Sequence, residues 1–151
     1  MPCHDPDMRQ SLGYLIGYTA RSLTRLFNQR LQDAGIDLTV EQWRVLKLLL
    51  HKDKRNQQEL ANELLLEKPG VTRMIDRLEA KGYVQREADP NDRRSKLVAL
   101  TEKSRTLESR LTAVMQETLS LASGALPEET LHQYKHTCQL LINNIQNAQH
   151  P

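Results

Sequence analysis

Apolar residues recur along most of the chain at intervals of three and four, which is the spacing of one helix face. This pattern predicts a first long helix over residues 8–34, and Gly35 is its expected stop. A second helix is predicted to begin at Thr39, because Gln42 three residues later completes a capping-box pattern. The polar stretch that follows this helix, residues 51–55, is predicted to be a loop.

Two shorter helices are predicted in the centre of the chain. Asn56, with Glu59 three residues later, marks the start of the first. A turn at residues 65–68 follows, and the next helix begins at Pro69, a residue type suited to a first helical turn, and ends at Gly82. Its apolar stripe falls at i, i+3, i+4 and i+7 and consists of Val71, Met74, Ile75 and Leu78.

The pattern then changes to short β-strands. Residues 83–87 and 97–100 are the strand candidates, and the residue types of 89–92 suit a type I turn, so a hairpin with a long polar tip is predicted. Thr101 is the expected cap of a long helix, and a further helix after Pro127 completes the chain. Their predicted inward positions are Leu107, Leu111, Val114, Met115 and Ala122 on one, and Leu131, Tyr134, Cys138, Leu141, Ile142 and Ile145 on the other.

The order of elements is four helices, a hairpin and two helices, which predicts a mainly α protein with a small β-hairpin wing. Residues 38–101 have the outline of a winged helix-turn-helix, in which an amphipathic helix can enter a DNA groove. The flanking segments, 8–34 and 102–148, are predicted to be dimerisation helices. At about 1.5 Å per residue they reach roughly 35–40 Å, so their apolar faces overhang a small centre and need a second copy for cover. Residues 1–151 are expected to be one domain.

Composition narrows the choice of function. The 151 residues carry 21 Lys and Arg against 19 Asp and Glu, a balance that excludes a general nucleic-acid-coating protein. However, residues 68–96 hold eight basic and five acidic residues, so a modest positive excess lies on one helix and the hairpin. The N-terminus has no secretory signal pattern and the apolar runs are short, so a soluble cytoplasmic protein is expected.

The helix that begins at Pro69 is the first candidate for DNA recognition. Its buried stripe leaves Thr72, Arg73, Asp76 and Arg77 on the opposite face. An arginine fork can read guanine, and a threonine can bond a phosphate or touch a thymine methyl group. The alternative interpretation is an ordinary solvated face of mixed charge.

The hairpin tip is the second candidate. Arg93, Arg94 and Lys96 place three cations on a narrow protrusion, and a long arginine there can enter the minor groove of DNA. We expect Asp92 to hold an arginine in position and to cap the turn. A solvated turn with surface charges is the alternative.

These segments resemble the multiple-antibiotic-resistance regulator (MarR) family. The resemblance rests on residues 72–82, on Arg86 and on residues 89–101, where Asp92 and Arg94 match the family's wing signature; it extends over about residues 10–148. It implies a homodimeric regulator, expected to be a repressor, that binds a pseudo-palindromic operator with Arg94 in the minor groove. The predicted DNA-binding residues are Lys68, Thr72, Arg73, Arg77, Asp92, Arg93, Arg94 and Lys96.

The resemblance also implies release from DNA by a small, often anionic aromatic ligand. Tyr14, Tyr18 and Arg21 on the first helix and Trp43 on the second are the candidate lining residues. Ordinary core and interface packing is the alternative for these aromatic residues.

The remaining candidate chemistry concerns cysteine and histidine. Cys138 is predicted to be a small buried hydrophobe, whereas Cys3 could be exposed and oxidisable, so a redox-responsive regulator of the same family is one alternative. His132 and His136 have a spacing that can chelate zinc, but surface histidines are the expected interpretation, and no metal or cofactor is expected.

The sequence also bears on two further classes of function. A winged-helix module that binds a protein without DNA is the other alternative to a DNA-binding regulator. An enzyme is not expected, because the sequence has no phosphate-binding glycine loop, nucleophile elbow or metal-plus-base cluster.

Overall fold

The helices of the computed structural model, which describes residues 8–150, begin and end close to the predicted positions. The described elements, in chain order, are a 3-10 turn (Met8–Gln10), α1 (Leu12–Asp33), α2 (Val40–His51), β1 (Arg55–Asn56), α3 (Gln57–Leu64), α4 (Lys68–Ala80), β2 (Val84–Asp89), β3 (Asp92–Leu100), α5 (Glu102–Ser123) and α6 (Glu128–Gln149). The chain divides into two compact units, one that ends at Gln116 and one that begins at Glu117. The expectation of a single domain over 1–151 stays a prediction, and Cys3 lies outside the described residues.

Local capping explains why the central helices start where they do. In α2 the Thr39 side chain accepts from the backbone N–H of Gln42, and the Gln42 side chain accepts from that of Thr39. Asn56 and Glu59 form the same reciprocal box at the start of α3. Each box pairs donors that a helix start otherwise leaves unsatisfied, so both predicted capping boxes are confirmed.

The sheet has one strand more than predicted. Its order is β1-β3-β2, all antiparallel, and Arg55 of β1 pairs with Val98 of β3. The prediction of a loop over residues 51–55 was therefore wrong at Arg55, and α2 also includes His51. A two-residue strand is too short to show an alternating pattern, and its ladder partner lies more than forty positions away.

The hairpin is also more fully paired than predicted. Asp89 and Asp92 face each other in the ladder, which leaves only Pro90 and Asn91 as the turn. An Asp89 side-chain oxygen accepts from the backbone N–H of Asn91 and closes this turn. The turn itself is therefore shorter than predicted, but the ladder is interrupted next to it, because residues 93–95 of β3 have no partner on β2.

A core of apolar side chains from α1 to α5 holds the first unit together. Trp43, Leu46 and Leu49 of α2 pack with Val71, Ile75 and Leu78 of α4, with Val84 and Val98 of the sheet and with Leu111 of α5. Burying one such side chain stabilises a fold by roughly 1.5–3 kcal/mol. The predicted fold class, mainly α with a small β wing, is confirmed.

Side-chain hydrogen bonds to the segment between α4 and β2 hold the start of α5 in place. The Thr101 hydroxyl, expected to cap the helix, shares its one hydrogen between the carbonyl oxygens of Gly82 (2.6 Å) and Tyr83 (3.2 Å). Ser104 donates to the same Tyr83 carbonyl and is buried. This cluster attaches the first turn of α5 to the end of α4 and the start of β2. Leu111 is buried as predicted, but Ala122 is exposed.

The second unit holds the end of α5 and all of α6. No residue of α6 is buried, and Tyr134, Ile142 and Ile145, three predicted inward positions, are about half exposed. Cys138 is partly exposed, so the prediction of a fully buried thiol was wrong. His132 and His136 are exposed, and the described residues hold no group of three or more His, Cys, Asp or Glu suited to a metal ion. No helix within residues 8–150 is long and apolar enough to cross a membrane.

Candidate nucleic-acid interface

The exposed face of α4 follows from the depth of its apolar stripe. Val71, Ile75 and Leu78 are fully buried, and this fixes the rotation of the helix about its axis. Arg73, Asp76 and Arg77 consequently lie in solvent. Lys68 and Pro69 form the first turn, and the residue at the N-cap position makes no side-chain cap bond. Pro69 has no N–H, and the Gly70 N–H donates to the Glu67 carbonyl oxygen (3.0 Å), so this turn offers few backbone donors to an anion.

Thr72 is held more firmly than its arginine neighbours. Its hydroxyl donates to the carbonyl oxygen of Lys68 (3.0 Å) and accepts from the side-chain amide of Gln57 (2.9 Å). A hydroxyl has one hydrogen, so this geometry leaves Thr72 as an acceptor and a methyl-bearing surface. The side chain can contact a thymine methyl without breaking either bond, whereas donation to a phosphate requires rearrangement.

Arg86 of β2 is the centre of a polar cluster behind the α4 face. Its guanidinium contacts Asp76 (2.6 Å) and Glu79 (2.9 Å), both on α4. Two further N–H groups donate to the side-chain oxygen of Gln57 at 3.2 Å each, and the backbone N–H donates to Glu79 (3.0 Å). The guanidinium uses four of its five donors within the protein. Sequence reasoning found Arg86 only as a motif position, because its partners lie on two other elements, α3 and α4.

The cations of the wing tip lie on or next to a bulge of β3, whereas those of α4 lie on a helix face. Lys96 pairs with Ala88 and Asp92 with Asp89, so residues 93–95 of β3 bulge out with no opposing residue on β2. Asp92, Arg93, Arg94 and Lys96 are all exposed. An Asp92 side-chain oxygen accepts from the backbone N–H of Arg94 at 2.9 Å. Asp92 thus fixes the backbone from which the Arg94 side chain extends.

A lysine anchors the base of the wing. Lys54, just before β1, forms an ion pair with Glu87 of β2 at 3.0 Å. Hydrogen bonds from Lys54 and from Gln85 lower the pKa of the Glu87 carboxyl. This carboxylate therefore stays charged and holds the N-terminal end of β1 against the hairpin.

An open crevice of about 590 Å³ lies between α1 and α2. Three of its lining residues, Arg21, Arg25 and Arg44, carry guanidinium groups, against a single carboxylate on Glu41. None of these arginines forms an ion pair within the described residues. Such a crevice favours a negatively charged ligand. Sequence reasoning found Arg21 and missed the other two, which look like ordinary surface charges on their helices.

The aromatic residues predicted to line a ligand site lie elsewhere. Trp43 is buried in the core, with 6% of its surface exposed. Tyr14 and Tyr18 stack on each other along α1 with ring centroids 5.6 Å apart. The structure therefore brings only Arg21, of the four predicted residues, into the lining of the crevice.

Comparison with known proteins shows what this arrangement is similar to. A model of the MarR family matches residues 38–96, as the sequence resemblance predicted. A MarR-family transcriptional regulator from Rhodococcus sp. RHA1 is similar with a TM-score of 0.81 and 26% identity, over 91% of this chain and 96% of that one.

Two solved structures of the regulator CouR are similar as well. CouR from Rhodococcus jostii RHA1 bound to p-coumaroyl-CoA has a TM-score of 0.77 and 27% identity, over 91% of this chain and 95% of that one. The transcriptional repressor CouR bound to a 23-mer DNA duplex has a TM-score of 0.82 and 26% identity, over 89% and 94% of the two chains. The six helices and the small antiparallel sheet described above match the winged-helix fold of this family.

Proposed function

Because residues 38–96 match a model of the MarR family, we propose that this chain is a transcriptional regulator that binds a pseudo-palindromic operator as a homodimer and represses transcription. The observation that carries the proposal is a set of four exposed arginines. Arg73 and Arg77 on α4 and Arg93 and Arg94 on the wing form no ion pair within residues 8–150. Unpaired guanidinium groups on one helix and an adjoining hairpin are suited to double-stranded DNA, in which the helix can enter the major groove and the hairpin the minor groove.

Each element has a distinct task in this proposal. The α4 helix enters the major groove, where Arg73 and Arg77 reach base edges and Lys68 reaches a phosphate. On the wing, Arg94 enters the minor groove from a backbone that Asp92 fixes, and Arg93 and Lys96 contact phosphates. Thr72 takes part as an acceptor or through its methyl group, since its hydroxyl hydrogen is already donated to Lys68.

A homodimer is supported by apolar surface that the chain leaves open. Leu12, Leu15 and Ile16 on α1 are about half exposed, as are Ile142 and Ile145 on α6. Stripes of this kind are covered when two copies meet across a two-fold axis. Two winged helices would then face half-sites about one DNA turn apart.

The proposed effector is a small anion with an aromatic part. The crevice between α1 and α2 supplies Arg21, Arg25 and Arg44 for its charged group. Binding there would release DNA only if the ligand binds the DNA-free conformation more tightly than the DNA-bound one. We propose no catalytic step for this chain. We also propose that it acts in the cytoplasm, a location that rests on DNA as its proposed partner.

The test of DNA binding uses the wing arginine. Arg94→Ala is expected to weaken binding to a selected operator duplex by about 1–3 kcal/mol, roughly fivefold to 150-fold, and to leave the dimer intact. Arg105→Ala is the matched control, because Arg105 is paired with Asp53 on the surface. Gel-shift titration over a range of salt concentrations, with sedimentation velocity for the dimer, gives both readouts.

The wild-type protein should also lose affinity steeply as salt rises, since phosphate neutralisation releases counterions. A wild type that shows no salt-sensitive binding to any duplex would contradict the proposal and would favour the protein-interaction alternative. Unchanged affinity of the Arg94 variant would contradict only the wing assignment.

A further inference from the structure

Two carboxylates stand on or beside the face of α4 that is proposed to meet DNA. Asp76 lies between Arg73 and Arg77 in sequence, and its side chain is 58% exposed; that of Glu79 is 40% exposed. Uncompensated carboxylates close to phosphates weaken binding by like-charge repulsion. The composition of α4 is therefore poorly suited to DNA unless something neutralises these two groups.

Arg86 is the group that contacts both. Its side chain is only 19% exposed, and its guanidinium lies 2.6 Å from Asp76 and 2.9 Å from Glu79. Four of its N–H donors are used within the protein, so Arg86 is not free to bind a phosphate. Its position on β2 also joins the wing to the recognition helix through side chains, in addition to the connecting backbone.

A hydrogen-bonded chain extends this junction to the start of α4. Arg86 donates to the Gln57 side-chain oxygen, the Gln57 amide donates to Thr72, and the Thr72 hydroxyl donates to the Lys68 carbonyl. The first residue of α3, the first turn of α4 and the middle of β2 are thereby held in one network. Its members need each other, because removal of one leaves its neighbours with unsatisfied donors or acceptors.

We propose that Arg86 is a positioning residue for DNA recognition: it neutralises Asp76 and Glu79 on the DNA-facing helix and, through Gln57, fixes Thr72. The inference rests on the proposed DNA-binding function. It assigns Arg86 no contact with DNA, and it explains how a helix that carries an acidic residue between two arginines can approach phosphates.

The charges permit a test that separates this role from simple loss of stability. Arg86→Gln leaves two uncompensated carboxylates, and we expect about a tenfold loss of affinity for the selected operator duplex at low salt. The double variant Arg86→Gln/Asp76→Asn has the same net charge as the wild type, and we expect it to recover most of that loss. The deficit of the single variant should shrink as salt rises, because exposed charges are screened.

Three further variants complete the design. Asp76→Asn alone should bind within about threefold of the wild type, since Arg86 already neutralises this carboxylate. This variant does not depend on whether Arg86→Gln folds. Arg86→Lys keeps the charge but not the planar fork, so it should retain more affinity than Arg86→Gln. Arg105→Gln removes an ion-paired arginine elsewhere and is expected to bind like the wild type.

The outcomes are distinct. Wild-type binding with equal binding by folded Arg86→Gln would overturn the inference, and so would a deficit that neither Asp76→Asn nor salt changes. A gain of tenfold or more from Asp76→Asn alone would also overturn it, because the carboxylate would then not be neutralised in the wild type. A wild type that binds no duplex would instead overturn the proposed function and this inference with it.

Discussion

Helices α4 and α6 both carry an apolar stripe, but the stripe of α4 is buried and that of α6 is partly exposed. In α4 the positions Val71, Ile75 and Leu78 are fully buried within 13 residues, whereas the 22 residues of α6 include no buried side chain. Helical periodicity alone does not distinguish the two. The difference teaches that the winged-helix centre completes its own core, while the α6 stripe stays partly exposed and is the surface on which we propose that a second copy packs.

The largest expected effect compares two isoleucines. Ile75→Ala should lower the free energy of unfolding by about 2–5 kcal/mol, because it removes three carbons from a fully buried site and leaves a cavity. Ile142→Ala makes the same chemical change at a side chain that is 47% exposed and should lower it by less than about 1 kcal/mol in dilute protein. Urea denaturation measures both, and equal losses would erase the distinction between the helices.

A charge on α6 tests whether its stripe meets a second copy. Ile145→Asp is expected to weaken self-association by about tenfold to 100-fold, since the carboxylate would be buried without a partner, while the far-ultraviolet circular dichroism stays unchanged. Gln146→Asp places the same charge one residue further along and serves as the control. Sedimentation velocity gives the association constants, and an unaltered dimer in the Ile145 variant would show that α6 is covered by something else.

The turns before α4 and α6 offer a backbone comparison at nearly equal angles. Leu65 has φ 53° and Gly124 has φ 55°, in a region that suits glycine and strains a leucine. Leu65→Gly should therefore raise the free energy of unfolding by up to about 1 kcal/mol, and Gly124→Ala should lower it by about the same amount. Thermal unfolding measures both. A destabilised Leu65→Gly variant would show that this leucine, 88% exposed, makes a contact that outweighs its strain.

The smallest expected effects are changes in how stability depends on pH, one at acidic and one at alkaline pH. A hydrogen bond from Arg55 lowers the pKa of Glu63, so its contribution is complete above the ordinary value of 4.5 and is lost as pH falls through the folded-state pKa. A hydrogen bond with Cys138 raises the pKa of Tyr134, so its contribution is present below 10.0 and is lost as pH rises through the folded-state pKa.

Unfolding temperatures measured against pH test this pair of shifts. Glu63→Gln should flatten the acid limb of the profile and leave the alkaline limb unchanged. Tyr134→Phe should do the reverse. A single variant that moves both limbs would mean that the two groups do not titrate independently.

Features set by neighbouring residues could be predicted from the sequence. The boxes at Thr39 and Asn56 and the buried stripe of α4 depend on spacings of three and four residues, and the structure has them where they were predicted. The exposed cations of α4 follow from the same reasoning, because the residues opposite a buried stripe must face solvent. Those of the wing follow from the polar tip of the predicted hairpin.

Features set by distant partners could not be predicted. The strand at Arg55 exists because β3 offers it a free edge, and the ion pairs of Arg86 join residues on different elements. Trp43 is different, because helical spacing puts it on the apolar face of α2 with Leu46, and the structure places it in the core and not in the crevice. The crevice arginines Arg25 and Arg44 are neighbours only once α1 and α2 have packed together.

The hydrogen-bonded chain from Arg86 to Lys68 has a consequence for genetics. Gln57 belongs to α3, yet its amide bonds to the recognition helix and its carbonyl oxygen to the wing. A screen for mutations that abolish regulation would therefore return substitutions at Gln57 and Arg86 together with those at the exposed arginines. A surface mapped from such a screen would be larger than the surface proposed to touch DNA. It would include residues whose only role is to hold α4 and the wing in the correct relative position.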